Sequence, residues 1–357
     1  MKAMLPFDQE LPESRTPVLV IQGRRDSGKS DWIARLLETS PGLSVGVITN
    51  EAAGVPRAAV DGEKVEGAFV PHAVGCLCCV ARSGLVDAMR RLHARRSAAN
   101  ARLDLVIIET AEAADPAPVL QTLLNNALVT HYFRLDGVVQ VLSAADEPAP
   151  VALTGPTSKQ LAVADRIVVL SDDTSSRRPG SMDLLSAINP SARVLADHEA
   201  TLPALTGAGA RDEFSRTGRL DTWLCSAEGD ASAVGYNLFR FQARLAGDTS
   251  WEAFHGWMNA GLQLHGDVIY RLRAVLSIEG ETRPVVLQGV QHVMEPPSRL
   301  HSWGSMDRCS KLHFITSELP ADVVRSSLAR DLPVFAASAA QREFRRQRAR
   351  LDPSLPA

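Results

Sequence analysis

An apolar run that stops at a glycine, PVLVIQG (17–23), is followed closely by DWIARLLE (31–38), whose Trp32, Ile33, Leu36 and Leu37 recur at helical spacing. Between them GRRDSGKS (23–30) fits the pattern G-x-x-x-x-G-K-[ST]. A buried strand, a glycine-rich turn and a helix in that order call for a sheet whose faces are covered by helices. Later runs agree. LSVGVIT (43–49), LDLVIIE (103–109), LDGVVQVL (135–142) and DRIVVLS (165–171) are β-branched, and helical patterns such as GLVDAMRRLHARR and APVLQTLLNNAL lie between several of them. The predicted fold class is α/β, with a mostly parallel sheet.

Residues 196–234 are rich in Ala, Gly, Ser and Thr without clear periodicity, and are read as a linker. NLFRFQARL, a helix SWEAFHGWMNAGL, strands DVIYRLRAVLSIEG, RPVVLQGVQHVM and KLHFITSEL, and a helix near 321–330 then predict a second, smaller α+β domain. The expected division is a disordered lead-in at 1–16, a first domain at 17–195, the linker at 196–234, a second domain at 235–332 and a basic tail at 333–357. In that tail QREFRRQRAR carries five arginines in ten residues, read as a solvated helix or frayed end. A net charge of −3 over 357 residues gives no reason to expect nucleic acid as the main partner. No apolar run approaches the ~20 residues of a membrane span. The N-terminus lacks the apolar core of a secretory signal, so a cytoplasmic protein without membrane attachment is expected.

The loop at 23–30 has the context its pattern requires, a strand before and a helix after. Its fold type is therefore that of a P-loop NTPase. Backbone N–H groups of Gly23, Ser27 and Gly28 and the helix N-terminus would cradle phosphate oxygens. Lys29 would reach the β/γ-phosphates, and the hydroxyl of Ser30 would coordinate Mg²⁺. Asp26 is an odd carboxylate to find facing an anion. Glu109, closing LDLVIIE, stands where a Walker B strand places the acidic residue that serves the Mg²⁺ site.

Three of the five cysteines, Cys76, Cys78 and Cys79, fall within VGCLCCVAR. Neighbouring cysteines are poorly placed for a relaxed disulfide, and a reducing cytosol favours metal binding or redox chemistry. Three thiolates supply three of the four ligands of tetrahedral Zn²⁺, leaving the fourth open, as suits a site that loads and unloads. Soft sulfur favours Zn²⁺ or Cu(I), with Co²⁺ and Ni²⁺ as alternatives. His72 or Glu51 would be a fourth ligand, and simple packing of small thiols in a turn is the bland reading. Cys225 and Cys309 stand alone and are read as packed or inert. His255, His265, His292, His301 and His313 are scattered through the second domain and are read as surface residues.

The order of these segments resembles the CobW-like metallochaperone GTPases, relatives of the UreG and HypB nickel-insertion proteins. It rests on the P-loop, then TNEAAG (49–54), GCLCCVARSGL against the family's GCxCC-x-x-R block, IETAEAADPAPVLQTL against its E-T-x-G-x-A-D-P segment, and the second-half sequence from GDVIYRLRAVLSIEG to KLHFITSEL. The resemblance implies GTP or another nucleoside triphosphate and Mg²⁺ as ligands, zinc or a related divalent ion as cargo, and a client metalloprotein as partner. It leaves a homo-oligomer open. Asp173 falls at the family's guanine-binding carboxylate. Departures stand beside the match: Arg24, Arg25 and Asp26 within the P-loop, Glu112 where the family's ExxG glycine sits, Ser143 where relatives often carry Asp, and Ser171 at the lysine position of [NT]-K-x-D. Two functions therefore compete, a hydrolysing metal chaperone and a nucleotide- and zinc-binding regulator with weak or absent turnover; a P-loop kinase is a third, which leaves the cysteines without a role.

Overall fold

The computed structural model describes residues 14–24, 27–49, 61–64, 78–98, 103–110, 115–143, 156–170, 181–224, 231–232 and 238–332. Seven strands form the first sheet: β1 (Thr16–Gly23), β2 (Val45–Thr49), β3 (Asp61–Lys64), β4 (Leu105–Glu109), β5 (Phe133–Ser143), β6 (Arg166–Leu170) and β7 (Arg193–Ala196). Their order is β3-β2-β4-β1-β5-β6-β7, and every pairing is parallel. Strands β2, β4 and β6 are buried along their whole length, because helices cover both faces and no alternation with solvent is needed.

On one face Val18 and Val20 of β1 pack with Leu85, Met89 and Leu92 of α2 (Cys78–Ala98) and with Val119, Leu120 and Leu123 of α3 (Pro116–Asn125). On the other, Leu19 and Ile21 meet Trp32, Ile33 and Leu36 of α1 (Lys29–Glu38). The order β4-β1-β5 brings the carboxyl ends of β1 and β4 side by side, with Ile21 in register with Glu109. A ligand crevice at the carboxyl ends of parallel strands follows from this architecture. Also present are α4 (Ala127–Tyr132), α5 (Pro156–Val163) and α6 (Ser181–Ile188).

The stretch read as a linker carries α7 (Leu202–Leu205), α8 (Ala210–Thr217) and α9 (Asp221–Leu224) in its described part. Leu202 and Leu205 join the α1 face of the first sheet. Phe214, Leu220, Trp223 and Leu224 pack against Val275, Val286 and Leu300 of the second half. These helices are too short to show a periodic apolar stripe, which is why the sequence reads as featureless there.

The second domain is an antiparallel sheet in the order β12-β11-β10-β14-β9-β8, with β13 paired to β11. Its strands are β8 (Ala231–Ser232), β9 (Leu238–Leu245), β10 (Ile269–Leu276), β11 (Val285–Val290), β12 (Val293–Met294), β13 (Ser298–Arg299) and β14 (Ser310–Ser317). Leu272, Ala274, Phe241 and Phe314 point to α10 (Trp251–His265) and α11 (Ala321–Asp331), where Phe254, Met258 and Leu328 complete a core. The alternate residues Arg271 and Arg273 face the first domain, where both donate to the carboxylate of Asp165. His313 on β14, in register with Arg273 on β10, corrects the reading of the histidines as surface residues. It is 1% exposed, neither ring nitrogen has a partner, and burial beside Arg273, Arg240 and Arg271 pushes its pKa down to about 3. Of the other four, His255, His292 and His301 are exposed and His265 is half-buried.

Candidate functional site

The chain leaves β1 through Gly23, where φ is 154° and an added Cβ would lie 2.6 Å from the carbonyl oxygen of Val141. Only glycine fits so close an approach of backbones. Ser27 then turns the loop back, its Oγ donating to the carbonyl of Arg24 at 2.8 Å and its N–H to the same oxygen at 3.2 Å. Gly28, left-handed at φ 75°, is the N-cap of α1, and no side chain caps the helix there. The positive end of α1 therefore opens onto the crevice at the ends of β1 and β4.

Four side chains converge at that point. Lys29 is 1% exposed; its Nζ lies 3.5 Å from the Arg24 carbonyl and 4.0 Å from Glu109 Oε1. Ser30 Oγ donates to Glu109 Oε1 at 2.5 Å, and Thr49 Oγ1 donates to Glu109 Oε2 at 2.8 Å. Glu109 is 1% exposed, so its charge is carried by one ammonium and two hydroxyls rather than by water. Thr110 continues the line by donating its N–H to the Ile21 carbonyl at 2.9 Å, which fixes the end of β4 against β1. Hydroxyl and carboxylate oxygens gathered beside a buried lysine form a hard-oxygen, cation-tolerant corner next to an anion-binding helix end.

Of the residues singled out from the sequence, Gly23, Ser27, Gly28, Lys29, Ser30 and Glu109 are brought together here. Thr49 is the member that sequence reading missed. Its only signal was the in-register pairing of β2 with β4, which sets Thr49 against Glu109 and cannot be seen without the strand order. Arg25, Asp26, Glu51, His72, Cys76, Glu112, Ser171, Asp173 and Cys225 lie outside the described residues. Cys78 and Cys79 open α2, and their side chains are likewise outside the description. Cys309 is half-buried and its Sγ accepts from Arg244 Nη2 at 3.3 Å. Among the described residues no helix is long and apolar enough to cross a membrane.

A parallel sheet with the glycine-rich loop, Lys29 and Ser30 at the carboxyl end of its central strand defines a P-loop nucleotide-binding protein. Residues 17–196 match the nucleotide-binding domain of CobW/HypB/UreG, and residues 240–332 match the cobalamin synthesis protein cobW C-terminal domain. The chain belongs to the CobW/HypB/UreG family. It is 25% identical over 326 residues to the zinc chaperone YjiA of Escherichia coli, an alignment covering 87% of this chain and 97% of YjiA. The zinc chaperone CobW of a Sinorhizobium species is 25% identical over 232 residues, 62% of each chain. The zinc-regulated GTPase metalloprotein activator 1 of Schizosaccharomyces pombe is 27% identical over 144 residues, 39% of this chain and 34% of that one. The crystal structure of Zn(II)-bound YjiA GTPase from E. coli superposes with a TM-score of 0.66 at 20% identity, covering 89% of this chain and 99% of that one, so both domains share its fold.

Proposed function

We propose that this protein is a nucleotide-dependent metal chaperone that couples binding and hydrolysis of a nucleoside triphosphate to transfer of zinc to a client protein. The observation that carries the reading is the convergence of Lys29, Ser30 and Thr49 on the buried Glu109 beside the uncapped start of α1. Lys29 and the loop at 23–30 hold the phosphates. Ser30 and Glu109 offer the oxygen donors that Mg²⁺ takes. Mg²⁺, when bound, neutralises charge on the phosphates during attack by water. Asp173 is assigned to the base by its place in the sequence, which makes GTP the expected nucleotide. Cys76, Cys78 and Cys79 are assigned to the cargo, Zn²⁺ first and Co²⁺ or Ni²⁺ as alternatives, and binding should weaken as the thiolates are protonated at low pH.

Support for this assignment comes from relatives that are named zinc chaperones and from a fold shared with a Zn(II)-bound GTPase. Cytoplasmic location and a client metalloprotein are part of the same proposal. Glu112 and Ser171 favour a second reading, a nucleotide- and zinc-binding regulator without turnover. Phosphate release by the native protein, with and without zinc, against Lys29→Ala separates the two. Turnover that the variant lacks establishes the hydrolase, and none under any metal establishes the regulator. Metal content of chelator-free protein against the Cys76/Cys78/Cys79→Ser variant tests the cargo site, and equal zinc in both would remove it.

A further inference from the structure

Besides the Arg271 and Arg273 pairs with Asp165, the second domain meets the first through the hairpin of β11 and β12. Between β11 and β12 only Gln291 and His292 turn the chain, and Gln291 is one of two non-glycine residues with positive φ among those described, at 53°. Tight hairpin turns of this kind ordinarily take Asn or Gly there. A long side chain held in a backbone conformation it disfavours points to a use for that side chain. Gln291 is buried, its N–H donates to the Ile269 carbonyl at 2.9 Å, and its Nε2 donates to Asp115 Oδ2 at 3.1 Å.

The tip is braced from behind. The His292 ring lies so close to Gly266 that an added Cβ there would sit 2.2 Å from Nδ1, and His292 Nε2 pairs with Asp267 at 3.1 Å. Val293 enters the core formed by Val119, Leu120 and Leu123 of α3. The hairpin is thus a stiff prong lying against α3, with its amide on the N-cap of that helix.

Asp115 is the N-cap of α3, accepting the Ala117 N–H at 3.0 Å, and it also pairs with Lys159 of α5 at 3.5 Å. In sequence it stands five residues after Thr110 and six after Glu109, the carboxylate that holds Ser30 and Thr49. Six residues of sequence therefore separate Glu109, held beside the phosphate loop by Ser30, from Asp115, held by Gln291. We infer that Gln291 is a positioning residue through which the second domain sets the response of the nucleotide site to the γ-phosphate. This deepens, and rests on, the reading of the first domain as a nucleoside-triphosphate site.

The test uses the full chain and two probes, a fluorescent GDP and a fluorescent non-hydrolysable GTP analogue. Gln291→Gly keeps the left-handed backbone and removes the amide. Its expected effect is a change of about fivefold or more in the ratio of the two dissociation constants, the scale of a modest allosteric coupling, with GDP affinity within about twofold of native. Gln291→Glu, which sets two carboxylates together, should shift the ratio further. Gln291→Glu with Asp115→Asn, which restores a donor and an acceptor and keeps the cap, should bring it back. As a second readout, amide exchange at 285–294 in the native chain should differ between the GDP- and analogue-bound forms. A ratio unchanged in both single variants, a parallel loss of both affinities, or identical exchange in the two forms overturns the inference while leaving the nucleotide site standing. Failure of either nucleotide to bind the native chain removes both.

Discussion

Asp165→Asn is the perturbation whose size follows most directly from the geometry. The Asp165 side chain is 7% exposed, and Oδ1 accepts from Arg271 and Arg273, which are 4% and 2% exposed, while Oδ2 accepts the Val138 N–H at 2.8 Å. The carboxylate therefore ties the first sheet to the polar face of the second. Burial alone would raise its pKa, but Arg271 and Arg273, with the Val138 N–H and Arg166, hold it below the ordinary 3.8. Asparagine keeps the shape and one acceptor but leaves two buried guanidiniums without the carboxylate they share. Breaking a buried pair in this way costs about 3–5 kcal/mol, a large part of the ~5–15 kcal/mol that holds a typical native state together. Urea unfolding at pH 7 read by tryptophan fluorescence is the assay, since Trp223 stacks under Arg273 at 4.8 Å. The depressed pKa fixes the pH dependence: the native advantage is full above about pH 3.8 and fades as pH falls through the lower folded value. Replacing Asp165 by Leu and both arginines by Met removes the charges together. That variant should fall between native and Asp165→Asn, because the carbonyls of Val163, Ala164 and Trp223 lose donors worth about 1 kcal/mol each. An Asp165→Asn midpoint equal to native at pH 7 would refute the reasoning.

Lys29→Ala should lower kcat for phosphate release by on the order of 10²–10³, the scale of losing one well-aimed charge donor, read in a steady-state phosphate assay. His313→Leu removes a buried imidazole with no partner. Because the folded pKa of about 3 lies below the unfolded 6.5, native stability should fall relative to the variant as pH drops from 6.5 toward 4, by about 1.4 kcal/mol per unit, in parallel urea titrations. Gly46→Ala would place a Cβ 2.4 Å from Leu92 Cδ2, forcing that buried side chain to repack between α2 and β2, and should lower the melting temperature measured by circular dichroism.

Much of the first domain was legible because its strands are short apolar runs and its loop is a spaced motif. Gly23, Gly28, Lys29, Ser30 and Glu109 follow from the motif and the strand pattern alone, and all five meet at one crevice. What could not be read depends on strand order. Thr49 reaches Glu109 only because β2 lies beside β4, and Gln291 reaches Asp115 across 176 residues of sequence. The buried arginines on β10 were hidden for the same reason, since an alternating Arg–Leu–Arg strand ordinarily shows its charged face to solvent. Asp165 takes that place here. His313 was misread because burial without a hydrogen-bond partner leaves no mark in sequence. The helices in 196–224 escaped because their apolar residues come in ones and twos.

Zinc affinity measured by chelator competition on the full chain tests the central claim most directly, with a non-hydrolysable GTP analogue, with GDP and without nucleotide. If the phosphate corner and the cysteine segment act as one device, the three dissociation constants should differ by about fivefold or more between the triphosphate form and the others. Three equal constants would contradict it, even if both ligands bind.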